Sequence, residues 1–183
     1  MNAPGMTFIS VDIETAGPTP SNYAMLAIGA CLVDEPDVSF YVELIPDKET
    51  IEPSAIKISG LAPEKLKQDG TPPYEAMEAF ENWLQKHTPE GDQPIFVAFN
   101  AAFDWMFVAD YFHRYLGRNP FGHRSLDIKA LYMGIFAVPW DETSMSEVTK
   151  TLGLSIELSH NALEDAQDQA CIFDTLLQKI TKS

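Results

Sequence analysis

Thr7-Phe8-Ile9-Ser10-Val11-Asp12-Ile13-Glu14-Thr15 decides how this chain is read. Thr7–Ile13 is rich in β-branched and aromatic residues and reads as a strand. Period-two geometry turns Asp12 and Glu14 to one face at the strand's end and Ile9, Val11 and Ile13 to the other. Two neighbouring carboxylates repel each other unless something positive sits between them. The apolar run before them argues for a partly buried location, where like charges need a cation. Taken alone, the pair reads equally well as two solvated charges opening a turn.

Outward from this strand, Ala24–Val33 and Ser39–Leu44 read as two more strands, separated by Gly17-Pro18-Thr19-Pro20 and Asp34-Glu35-Pro36-Asp37. Segment 46–73 holds five prolines and is expected to be irregular, with one short helix near Pro63–Lys67. From Tyr74 to His87, the residues Met77, Phe80, Trp83 and Leu84 recur at helical steps. A buried strand at Pro94–Phe99 follows, then a helix from Phe103 to about Leu116 and a short strand at Arg124–Ile128. Ser144 and Glu147 fit a capping box for a helix to Leu152, stopped by Gly153. Ala162–Ile180 is the last helix, with Ala166, Ala170, Phe173 and Leu177 along one face. Three strands, then strands alternating with helices, predict an α/β domain with a mixed central sheet flanked by helices.

The length of 183 residues fits one domain, 1–183. Twelve Lys and Arg face 27 Asp and Glu, a formal charge of −15, which argues against a simple electrostatic clamp on nucleic acid. No apolar run approaches the roughly 20 residues of a membrane span, and the N-terminus lacks a basic segment followed by an apolar one. Cys31 and Cys171 stand far apart in apolar-rich segments and are expected to be buried, reduced thiols of a cytoplasmic protein.

Two further segments carry candidate chemistry. In Asn100-Ala101-Ala102-Phe103-Asp104 a strand hands over to a helix with an acid in its first turn. Alone, Asp104 reads as a charge complementing the helix dipole and Asn100 as a turn residue. In His160-Asn161-Ala162-Leu163-Glu164-Asp165 a histidine precedes a helix and an acid lies in its first turns. Five residues exceed one helical turn, so periodicity does not align His160 with Asp165, and a histidine there also reads as a surface or capping group. Glu164 and Asp168 read as solvated acids.

Together, Asp12-Ile13-Glu14-Thr15, Asn100 to Asp104 and His160 to Asp165 resemble the three motifs of the DEDDh 3′–5′ exonucleases. That group of the ribonuclease H-like superfamily includes RNase T, oligoribonuclease and polymerase proofreading subunits. Each motif is weak alone; three in family order, spanning residues 7 to about 180, are specific. The resemblance implies a ribonuclease H-like sheet whose first three strands are antiparallel. It implies that Asp12, Glu14, Asp104 and Asp165 hold two Mg²⁺ or Mn²⁺ ions, hard cations suited to carboxylates. It also implies that His160 is the general base of a hydrolysis releasing nucleoside 5′-monophosphates from 3′ ends.

The same resemblance places Thr15 and Ala16 at the terminal nucleotide and makes Leu61 of Ile58-Ser59-Gly60-Leu61 an apolar wedge beside its base; Asn100 is expected on the substrate side, and Phe103 and Trp105 are candidates for base stacking. Phe103, Trp105 and Leu61 read otherwise as core packing. All three arginines, with His113, His123 and Lys129, fall in the segment 113–129, and Arg114 and Arg118 are expected to line the path of the strand. Arg118-Asn119-Pro120-Phe121 and Glu14-Thr15-Ala16-Gly17 are similar to RNase T, a homodimer that trims RNA and also acts on DNA. The expectation is therefore a single-stranded or short substrate with a slight lean to RNA, and a homodimer. Two rival readings are a catalytically silent nucleic-acid-binding module of this fold and a phosphodiesterase acting on dinucleotides.

Overall fold

The computed structural model describes residues 5–156 and 159–182. Five strands form its centre: β1 (Met6–Thr15), β2 (Met25–Leu32), β3 (Ser39–Glu43), β4 (Gln93–Ala98) and β5 (Ser125–Asp127). They lie in the order β3-β2-β1-β4-β5. The first three are antiparallel, while β4 runs parallel to β1 and β5 parallel to β4. The mixed sheet expected from the sequence is therefore present. β1 runs two residues beyond Ile13, so Asp12 and Glu14 lie inside the strand, and its register with β2 slips between Glu14 and Thr15.

Ile9, Val11 and Ile13 enter a core shared with Met77 and Phe80 of α3 (Pro73–His87) and Phe107 and Tyr111 of α4 (Ala102–Tyr111). Phe8, Cys31 and Val97 face a second core, built with Ile128 and Tyr132 of α5 (Ile128–Phe136), Val148 of α6 (Met145–Leu152) and Phe173 of α7 (Ala162–Lys182). The sheet is thus covered on both faces, the usual burial of a sheet with parallel strands. Among the described residues, no helix is long and apolar enough to cross a membrane.

Several elements differ from the sequence reading. Segment 46–73 holds two helices, α1 (Pro53–Ser59) and α2 (Pro63–Asp69), each opened by a proline whose fixed φ suits the first helical position. α5 escapes the pattern because Ile128-Lys129-Ala130-Leu131-Tyr132-Met133-Gly134-Ile135-Phe136 is apolar on nearly all sides. The helix expected to reach Leu116 does so through a wider π turn at Phe112–Leu116, ended by Gly117 at φ 69°. Both cysteines are free thiols, but only Cys31 is buried; Cys171 is exposed. One residue turns a helix by about 100°, which carries Cys171 off the buried line of Ala166, Ala170 and Phe173.

Candidate active site

Three elements deliver the acids: β1 brings Asp12 and Glu14, the first turn of α4 brings Asp104, and the first turn of α7 brings Asp165. One carboxylate oxygen each from Asp12, Glu14 and Asp165 lies within 4.8 Å of the other two. Gly29 makes this convergence feasible. It pairs with Asp12 across β1 and β2, and a Cβ there would stand 2.1 Å from the Ala162 carbonyl oxygen. Without a side chain at this position, the start of α7 rests directly on the sheet.

Asp104 is 5% exposed, and its Oδ1 accepts a hydrogen bond from the Ile13 amide at 3.3 Å. Asp127 joins two helix starts by accepting from the Ala101 amide at 2.6 Å and the Ala130 amide at 2.8 Å. Gln169 is a neighbour of the acids that the motifs miss. It is 3% exposed, accepts from the Phe99 amide at 2.8 Å, and donates through Nε2 to Asp12 Oδ1 at 2.7 Å. A polar residue one turn beyond Asp165, beside the apolar line of Ala166, Ala170 and Phe173, is the signal that marks it.

Burial and mutual repulsion govern the electrostatics. Desolvation pushes the Asp12 carboxyl well above the usual range, and Asp104, Asp165 and Glu14 push it further, against the Gln169 hydrogen bond. Desolvation and then Asp165 raise Glu14 to about 7. Asp104 rises to about 8, chiefly by burial and with Glu14 and Asp127 adding, although backbone hydrogen bonds oppose the rise. The charges that raise these three groups are other carboxylates. Such a cluster favours protons or a cation. The donors are all oxygen, with no thiolate or imidazole among the converging atoms, a set that fits Mg²⁺ or Mn²⁺.

His160 is exposed and sits at φ 54° in the turn before α7. The turn is built around it. Ser159 donates to Asp165 Oδ1 from its amide at 3.1 Å and its hydroxyl at 3.3 Å. Asn161 caps α7 by accepting from the Leu163 and Glu164 amides. Asn100 has the same left-handed backbone, φ 64°, at the entry to α4. Two of the three non-glycine residues with positive φ among the described residues thus lie at the two motif junctions.

The expected substrate positions divide. Thr15 and Phe103 line two adjoining open cavities of about 180 and 340 Å³ beside Glu14, together with Ala55 and Ile58. Ala16 is 1% exposed and its backbone is engaged: its amide donates to the Ala24 carbonyl, and its own carbonyl accepts from Glu52. Leu61 packs with Ala16, Ala24, Leu26 and Leu66, whereas Ile58, 56% exposed, lines both cavities. Asn100 is exposed at the start of α4. Arg114 is held by Asp47 and Asp110, and Arg118 by Glu81, with Nε–Oε1 at 2.7 Å. The structure therefore brings neither guanidinium among the acids. Phe121 of the Arg118-Asn119-Pro120-Phe121 stretch is buried against Phe80, Phe96, Trp105 and Phe112.

A ribonuclease H-like sheet with acids converging at the ends of its parallel strands defines a nuclease-type α/β domain. The chain belongs to the Exonuclease (RNase_T) family, whose model matches residues 9–173. It is 44% identical over 175 residues to the 3′-5′ DNA exonuclease Cap18 of Escherichia coli, covering 96% of this chain and 93% of that one. It is 28% identical over 182 residues to ribonuclease T of Marinobacter nauticus, covering 92% and 81%. The nuclease domain of 3′hExo, a DEDDh family member bound to rAMP, shares its fold at a TM-score of 0.79 and 16% identity over 97% of this chain and 94% of that one. E. coli exonuclease I in complex with a dT13 oligonucleotide shares it at 0.72 and 17% identity, over 97% of this chain and 41% of that one.

Proposed function

We propose that this chain is a single-domain, divalent-metal-dependent 3′–5′ exonuclease over residues 1–183. In this reading it removes nucleoside 5′-monophosphates from single-stranded or short DNA. The observation that carries the reading is the part-buried carboxylate cluster of Asp12, Glu14 and Asp165, with buried Asp104 beside it and neighbouring carboxylates raising Asp12 and Asp104. The sequence alone leaned toward RNA; the 44% identity to a DNA exonuclease, against 28% to a ribonuclease T, turns the proposal to DNA. RNA is the second reading, supported by that same ribonuclease T likeness.

Asp12, Glu14 and Asp165 would hold the metal directly, with Asp104 as a further ligand. Two divalent ions bound there supply charge neutralisation at the scissile phosphate and lower the cost of making hydroxide and of expelling the 3′ oxygen. His160, exposed in its built turn, takes the proton of the attacking water. The water oxygen bonds to phosphorus as the P–O3′ bond breaks, and the 3′ oxygen leaves as an alkoxide that takes a proton from solvent water to become the hydroxyl of the shortened strand. The terminal base enters the cavities between Ile58 and Phe103, which gives the wedge to Ile58 rather than Leu61. The two free thiols suit a cytoplasmic setting. A homodimer belongs to the same reading and is checked by sedimentation.

The test uses 5′-labelled DNA and RNA of equal sequence with Mg²⁺ or Mn²⁺. The expected result is a ladder shortening from the 3′ end, faster on DNA, and lost in Asp12→Ala. His160→Gln is expected to lower kcat by about 100- to 10,000-fold while Mn²⁺ still binds. A folded protein that binds Mn²⁺ but yields no ladder on either strand overturns the reading.

A further inference from the structure

Lys129 and Trp140 form a cation–aromatic corner that the proposed chemistry does not use. The Lys129 ammonium lies 4.2 Å from the centre of the Trp140 ring and 5.9 Å from that of Phe99. Trp140 is 52% exposed, although Asp141 and Glu142 follow it in the same short turn. Among the described residues, Lys129 makes no ion pair, in contrast to Arg114 and Arg118. It also stands in the first turn of α5, where the helix dipole disfavours a cation.

Topology sets this corner at the same end of the sheet as the acids. α5 begins directly after β5, so its first turn lies on the sheet edge where the parallel strands β1, β4 and β5 all end. A direct chain of contacts connects the two places: Asp12 to Gln169, Gln169 to the Phe99 amide, and the Phe99 ring to Lys129. The Ile58–Phe103 cavities adjoin Glu14, whereas the corner is reached through Asp12. The smaller cavity touches Glu14 directly, and the corner connects to Asp12 through Phe99 and Gln169.

We infer that Lys129 and Trp140 are a second nucleic-acid contact, on the 5′ side of the scissile bond: a base stacks on the exposed Trp140 face and a phosphate pairs with Lys129. This deepens the exonuclease reading of the carboxylate centre and rests on it. Stacking on an aromatic face tolerates any base, and a lysine contributes a point charge to the backbone, so the corner fits single strands without sequence preference. In so acidic a chain, an unpaired lysine near the site is a natural place for strand affinity to concentrate.

The experiment compares two substrates in Mn²⁺. One is the p-nitrophenyl ester of thymidine 5′-monophosphate, which reaches only the terminal site; the other is a single-stranded DNA oligonucleotide. In Trp140→Ala and Lys129→Gln the ratio of kcat/KM for the oligonucleotide to that for the ester is expected to fall by about fivefold or more. Trp140→Phe should restore most of the loss. Lys129→Gln should also flatten the dependence of log affinity on log salt by about 0.7. Ratios and salt slope equal to wild type, with the ester still cleaved, overturn the strand contact and leave the exonuclease reading intact. A wild-type protein that cleaves neither substrate overturns both. If Trp140→Ala fails to fold, Lys129→Gln carries the test, since glutamine keeps the helix propensity of lysine.

Discussion

Gln169 has one workable orientation. The Phe99 amide must meet its oxygen, so its nitrogen must face Asp12, and one side chain fixes both the end of β4 and a carboxylate of the proposed metal site. Partners behind metal ligands typically govern about 10- to 100-fold in affinity. Gln169→Met is therefore expected to weaken Mn²⁺ binding by about that much, measured by titration calorimetry. It should also lower Tm, because the part-buried Phe99 amide loses its acceptor, a loss of about 1 kcal/mol. A lower Tm with unchanged Mn²⁺ affinity would reduce Gln169 to a structural tie. The convergence of Asp12, Glu14 and Asp165 was legible because each motif is a short local spacing. Gln169 was not, since its two partners stand 70 and 157 positions away. Ile58 and Leu61 share one apolar stretch, and only the packing of Leu61 on Ala16, Ala24, Leu26 and Leu66 shows which one is left free to face the cavity.

At the scale of elements, the centre depends on α7 lying flush on the sheet. A methyl group at Gly29 would collide with the Ala162 carbonyl and with the Leu163 amide 2.3 Å away, both backbone atoms that cannot rotate aside. Gly29→Ala should push out the first turn of α7, costing about 1–3 kcal/mol by overpacking and separating Asp165 from Asp12. Gly134→Ala in α5, where an added Cβ meets nothing within 4 Å, is the control and should hold or raise Tm. Equal exonuclease activity and Mn²⁺ affinity in both variants would contradict this role for Gly29. Element legibility followed the amphipathic pattern. α3 and α7 present one apolar face and were read within about two residues at each end. α5, apolar nearly all round, carries no period, and α1 hides among prolines. The antiparallel pairing of β1, β2 and β3 came with the family resemblance, since β1 is buried on both faces and its pattern alone does not choose a partner.

For the whole molecule, net charge and carboxylate cluster act in the same direction. Without metal, the folded state holds protons at Asp104 up to about pH 8 and at Glu14 up to about pH 7. In the unfolded chain those groups release their protons near pH 4. Between these limits the folded form binds more protons than the unfolded form, so metal-free stability must fall as pH rises from about 5 to 8. Self-repulsion in a chain of formal charge −15 adds to the fall, but salt screens that part, whereas the buried cluster is screened far less. Metal reverses the dependence, because its ligands must be deprotonated and binding to the native state adds stability by mass action. The expected result is a Tm that declines with pH in EDTA, keeps most of that decline in high salt, and gains an increment from Mn²⁺ that grows with pH. Asp104→Asn should flatten the decline in EDTA, since one of the raised carboxyls (Asp12, Glu14 and Asp104) is then gone. A metal-free Tm that rises over this window would mean that these carboxyls are not held protonated in the fold. A Mn²⁺ increment independent of pH would mean that the ion binds without displacing their protons, and therefore elsewhere.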